Sequence, residues 1–179
     1  MLGQHKANIT VVPYQSGWIG LFEREADLLR GALGEKALSI EHIGSTSIPG
    51  LDSKPIIDIM VAVESLRQAT KLIPAVEALG YEHRPHDIIP DRIFFVKEPS
   101  PEFRTHHLNL TPLESKFWKN QIVFRDYVRA NDQIAAEYVD LKRRLAEIYA
   151  RSHQLDREGK TEFVSRVLEL AKKEDRETS

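Results

Sequence analysis

The amino-acid sequence predicts an α+β fold, a mixed β-sheet with flanking helices and a C-terminal helical half. Three observations carry this. An apolar stripe at helical spacing occupies 18–33. Short β-branched or apolar runs, separated by Gly, Pro and Ser clusters, fill much of 37–110. Every periodic segment after Glu114 is helical, an order that suits segregated strands and helices better than alternating βαβ units.

The first helix is expected over 18–33, with Trp18, Leu21, Phe22, Leu28, Leu29, Ala32 and Leu33 along one side and Gly34 as its stop. A short strand follows over 37–43, then the turn-rich stretch 44–50. The run 55–63 is apolar on both faces and reads as an interior strand. Helical spacing resumes over 64–79 with Gly80 as its stop, and Pro74 inside it predicts a kink or a break. Strands over 92–97 and 104–110, joined by Glu98-Pro99-Ser100-Pro101, suit an antiparallel hairpin. Three helical stretches complete the chain, marked by Phe117 to Val128, Ile134 to Ile148 and Phe163 to Leu168. Asn131 serves as a cap between the first two, and the charged end, 172–179, is expected to fray. One domain over 1–175 with a short tail, 176–179, accommodates all of this.

Composition narrows the functional classes. The chain holds 25 basic and 27 acidic residues, a net charge of −2, so a general nucleic-acid binder is not expected and any basic site must be local. A small anionic ligand fits that balance better than a long polyanion. No apolar run is long enough to span a bilayer, and the N-terminal residues lack the charged and apolar regions of a secretion signal. The absence of cysteine excludes disulfides, thiol catalysis and cysteine-based zinc sites. A cytoplasmic protein without membrane partners is the expectation.

The residues with chemical potential cluster in two segments. At Gly44-Ser45-Thr46-Ser47 a strand gives way to a turn, where a missing Cβ lets backbone approach a ligand and three hydroxyls and free N–H groups follow. Such a turn is either a phosphate cradle or an ordinary capped turn. Asp58 sits inside an apolar strand, where an ionised carboxylate needs a partner, a metal or a ligand. A structural ion pair with Lys54 or Arg92 is the alternative. Alternation places Asp58 and Met60 on one face of their strand, and Thr105, His107 and Asn109 together on one face of theirs. His106 and His107 point apart, which argues against a two-histidine metal site. His83-x-x-His86-Asp87 lies in a proline-rich turn and is a poor metal motif.

The stretch EHIGSTSIPGLDSKPIIDIMVAV, 41–63, strongly resembles the GrpB family, which is similar to the nucleotidyltransferase (DNA polymerase β-like) superfamily and to the C-terminal accessory domain of some dephospho-CoA kinases. Further matches are Val12 to Trp18, His107-Leu108, Phe124 to Arg129, Tyr138, Lys142 and Lys160 with Phe163, so the resemblance spans nearly the whole chain. It implies a nucleotidyltransferase-like fold. In active members of that superfamily a Gly-Ser turn grips a triphosphate, and three strand carboxylates hold two divalent metals. Gly44 and Ser45 match the turn and Asp58 the first carboxylate. Met60 stands at the second carboxylate position, and His107 or Asn109 at the third. Any Mg²⁺ or Mn²⁺ binding, with Asp58 as ligand, should therefore be weak and ligand-dependent.

The resemblance implies a site for a nucleotide or another phosphorylated small molecule. Gly44, Ser45, Thr46, Ser47, Lys54, Arg92 and Asn109 would hold the ligand, and Asp58 and His107 would flank the reacting centre. Arg125, Lys142 and Lys160 would close over it, or would be solvated helix charges. Nucleotidyl transfer and a non-catalytic binding or folding-accessory module both remain open on the sequence.

Overall fold

A computed structural model gives the structure of the protein and describes residues 2–178. The first helix, α1 (Gly17–Leu33), buries Trp18, Leu29 and Leu33, and the Gly34 N–H donates to the Arg30 carbonyl with Gly34 at φ 55°. A 3-10 turn, Gly34–Lys36, delays β2 to Ser39–Ile43, two residues later than its apolar run suggests. A second 3-10 turn over Ser45–Ser47 leads towards β3 (Ile57–Val63), which starts only after Pro55, a residue without an N–H to pair.

The helix α2 (Leu66–Glu77) runs through Pro74 without a break. Pro74 withdraws one N–H from the ladder, but both it and Thr70, whose carbonyl loses that donor, are exposed, so water can replace it. Strand β4 (Tyr81–His83) escapes sequence reading because it is short and mostly polar. It pairs antiparallel with β5 (Ile93–Lys97), which pairs antiparallel with β7 (His106–Pro112), the expected hairpin. The main sheet has the order β2-β3-β7-β5-β4, and its one parallel contact, β3 with β7, makes it mixed. A two-stranded sheet of β1 (Gln4–His5) and β6 (Phe103–Arg104) brings the N-terminal segment to the end of β7.

Strand alternation sorts the main sheet into two environments. Ile57, Ile59, Val61, Val63, Phe95, Leu108 and Leu110 form one core with α1 and α2. On the other face Ile43, Met60 and Ala62 pack against Trp118 of α3 (Lys116–Ala130). The remaining helices are α4 (Asp132–Ile148), α5 (His153–Glu158) and α6 (Thr161–Thr178). Phe124, Val128, Tyr138, Phe163 and Val167 form a third cluster with Ile48 and Leu51, and so clamp the 44–50 turn between sheet and helices.

Two local expectations change. Asn131 does stand between α3 and α4, but its Nδ2 donates to the Tyr127 carbonyl at 2.9 Å and serves the end of α3 rather than the start of α4. The charged C-terminal segment, expected to fray, continues α6 as helix to Thr178, with Lys172–Glu169 and Lys173–Glu177 ion pairs along it and a Tyr127 hydrogen bond to Glu174. Ser179 lies outside the described residues.

Candidate functional site

Asp58 and His107 are direct partners across the parallel β3–β7 contact. His107 Nδ1 donates to Asp58 Oδ1 at 2.8 Å, and a carboxylate can only accept, so the proton is fixed on Nδ1. The His107 ring rests against Phe94 at 5.3 Å, and its Nε2 is buried with no hydrogen-bond partner. Gly44 lies against Asp58. A Cβ there would lie 2.9 Å from Asp58 Cγ and closer still to Oδ2, and the residue sits at φ 66°, so both space and backbone demand glycine.

Asp58 and His107 open into a cavity of about 430 Å³ between the sheet and the C-terminal helices. Six cationic side chains line it, Lys6, Lys54, Arg92, Arg104, Arg157 and Lys160, against the carboxylates Asp58, Asp87 and Asp156. Glu98, not itself a lining residue, pairs with Lys6 and Arg104, and a cationic excess of two still remains. Lys54 and Lys160 share a single oxygen, Oδ2 of the buried Asp156. Burial, with Lys54 alongside, lowers the Lys160 ammonium to about 8. Arg92 reaches Asn109 Oδ1 at 2.7 Å and Asp87 Oδ1 at 2.6 Å, with its guanidinium 4.3 Å from the Phe94 ring centroid. The structural ion pair weighed for Asp58 is therefore made by neither Lys54 nor Arg92. His107 is its partner.

Of the sequence-predicted ligand residues, Gly44, Lys54, Arg92, Asn109 and Lys160 line the cavity with Asp58 and His107. The others are spent on the fold. Thr46 Oγ1 donates to the Ile56 carbonyl and meets His42 Nε2, while Ser47 Oγ donates to the Gly44 carbonyl at 2.6 Å. Ser45 is not a lining residue but stands next to one, Tyr138. Burial pushes the Tyr138 phenol up to about 12, with the Ser45 hydroxyl opposing the shift. Arg125 ties Glu41 and the His42 carbonyl to α3, away from the cavity. Lys142 is buried, bonds the Asp52 carbonyl and stacks on Tyr138; desolvation first, and Lys160 next, lower it to about 7.

A GrpB protein family model matches residues 8–170. The chain belongs to the GrpB family. The glutamate-rich protein GrpB of Alkalihalophilus pseudofirmus is 36% identical over 171 residues, covering 94% of this chain and 98% of the relative. The crystal structure of GrpB from Enterococcus faecalis superimposes with a TM-score of 0.83 at 35% identity, over 92% of this chain and 98% of that one. A dephospho-CoA kinase of Mycobacterium leprae is 31% identical over 152 residues, 70% of this chain but 37% of the kinase. The Cid1 poly(U) polymerase bound to MgATP has a TM-score of 0.53 at 12% identity, over 76% of this chain and 44% of the polymerase. That likeness is one of fold, and this GrpB fold is nucleotidyltransferase-like.

The side chains of this GrpB protein do not fit a two-metal centre. Met60 is fully buried against Trp118 in place of a second carboxylate. Asn109 donates to the Ile59 carbonyl and accepts from the Arg92 guanidinium, which brings a positive charge to the third position. Asp58 alone offers a hard oxygen ligand there, and among the described residues no three His, Cys, Asp or Glu side chains group to hold a metal ion. In the His83-x-x-His86-Asp87 motif, His83 packs on Phe95 and Asp87 pairs with Arg92 and Arg157. No described helix is long and apolar enough to cross a membrane.

Sequence reasoning missed Asp156, Asp87, Gln4, Lys6, Arg104 and Arg157 as lining residues. All but Asp87 lie on short or polar segments with no local pattern to set them apart. Asp87 carried a signal, its proximity to two histidines, but one that pointed to the wrong chemistry.

Proposed function

We propose that this GrpB protein binds a nucleotide or another phosphorylated small molecule in the cavity under its C-terminal helices, without a resident metal pair. The observation that carries this is the cationic excess around Lys54 and Lys160, two lysines held to one buried carboxylate oxygen. Unbalanced positive charge in a partly desolvated cleft favours an anion, and a phosphate would accept from both ammonium groups. The nucleotide bound by Cid1 on a similar fold supports the same class of ligand.

Calorimetric titration with ATP, CoA precursors and inorganic phosphate tests this reading. Lys160→Met should weaken the best ligand by roughly ten- to a hundredfold, the share of one charge-assisted hydrogen bond. Because an anion raises the Lys160 pKa from about 8, binding at pH 8 should take up as much as about half a proton. Both effects should hold with EDTA present. Equal affinity in the Lys160 variant, or no binding of any phosphorylated probe, would sink the proposal.

A second reading, nucleotidyl transfer, is favoured by the Asp58–His107 pair. With Nδ1–H held by the carboxylate, Nε2 is the atom left to take a proton from an acceptor hydroxyl as that oxygen attacks the α-phosphorus and pyrophosphate leaves. Pyrophosphate release, abolished in His107→Gln with ligand affinity kept, would establish transfer. Its absence across acceptor alcohols leaves a binding module.

A further inference from the structure

Among the described residues, eight buried side-chain nitrogen or oxygen atoms lack a hydrogen-bond partner, and five of them belong to residues that line the same cavity: Gln4, Arg92, His107 and Asp156. Unmet buried polar atoms are costly, and four residues that carry them border one space. Arg92, His107 and Asp156 each already spend other atoms on neighbours. Gln4 spends none of its side chain. It is 3% exposed, yet both Nε2 and Oε1 are unpartnered.

Its position is built rather than incidental. Gln4 pairs with Arg104 in the small sheet, and the preceding Gly3 N–H donates to the Pro55 carbonyl at 2.8 Å, beside Lys54. A carboxamide offers one donor and one acceptor side by side. Its planar complement is an edge with an acceptor next to a donor, the pattern carried by nucleobases and read bidentately by Gln at adenine. Ile43, Ile56 and Phe94 supply apolar walls to the same space.

We propose that Gln4 is the specificity-determining residue of the cavity, recognising the hydrogen-bonding edge of a nucleobase whose phosphates lie at Lys54 and Lys160. This rests on the phosphate-binding reading above and names its ligand class, a nucleotide rather than a baseless phosphate ester.

The experiment titrates the whole chain with ATP, UTP and inorganic tripolyphosphate. The expected result is that at least one nucleotide binds about tenfold tighter than tripolyphosphate, and that Gln4→Met, close in volume, erases that margin while tripolyphosphate affinity holds. Removing two unsatisfied atoms should leave the melting temperature of Gln4→Met equal to or above that of the wild type. If Gln4→Met does not fold, Gln4→Asn, which withdraws the amide by one methylene, must lose the margin instead. Should tripolyphosphate match both nucleotides in the wild type, or the margin survive in the variant, Gln4 is satisfied by water and the inference fails with the phosphate site intact. Failure of all three probes to bind overturns both.

Discussion

Strands β3 and β7 show two faces built from alternate residues of the same chain segments. On the face under α1 and α2, Ile57, Ile59, Val61, Val63, Leu108 and Leu110 are all fully buried, a continuous apolar layer. On the opposite face, one residue along each time, stand Asp58, His107 and Asn109, half-buried or buried, with unmet polar atoms nearby. The neighbours His106 and His107 make the contrast sharpest. His106 points into the dry face, where burial lowers it to about 4, whereas His107 meets a carboxylate. One face is apolar apart from His106, and the other combines an apolar patch at Met60 and Ala62 with the polar groups that border the cavity.

The strongest way to break the dry face is acid. His42, stacked on Phe22 and likewise lowered to about 4 by burial, lies there with His106. Both take a proton near 6.5 when unfolded but only near 4 when folded, so the unfolded chain binds more protons between those values. Stability is full above pH 6.5 and falls as pH drops to 4, by about 3 kcal/mol for each histidine. Urea unfolding across this range should show the loss, and a flat profile would contradict the buried neutral rings. Phe95→Ala, on the same face, should cost about 3–5 kcal/mol through lost burial and a cavity, with no direct effect on ligand affinity.

On the other face the damage should reach ligand binding. Gly44→Ala forces a Cβ onto the Asp58 carboxylate at a positive φ, and a stability loss of about 1–3 kcal/mol with impaired ligand binding is expected. Asp58→Asn keeps an acceptor for His107 Nδ1–H at a partly exposed position, so stability should move by less than about 1 kcal/mol while ligand binding or transfer suffers. If Asp58→Asn instead destabilises as much as Phe95→Ala, Asp58 is structural and the contrast between the faces fails.

How much of this the chain announces varies by scale. The Trp18–Leu33 stripe, the Ile57–Val63 run and the hairpin of β5 and β7 are local patterns, fixed by which side chains recur at period 3.6 or 2, and they were legible. So was the pairing of faces that sets Asp58 opposite His107 once the strands adjoin. Strand β4 was not legible, because three residues owe their strand conformation to the β5 edge rather than to their own pattern. Thr46, Ser47 and Arg125 carry the right chemistry in the right motif but are used to hold the turn and α3 in place.

By itself the sequence determined the longer helices and strands, the two faces of each strand and the glycine turn at 44, because propensity, periodicity and side-chain direction act over a few residues. Only the tertiary structure decided which cations surround the cavity and which polar atoms stay unmet. Lys54 finds Asp156 across 102 residues of chain, and Gln4 enters the site from a two-residue strand. Those pairings depend on how helices and sheet close on one another, and no local pattern encodes which distant charge will arrive.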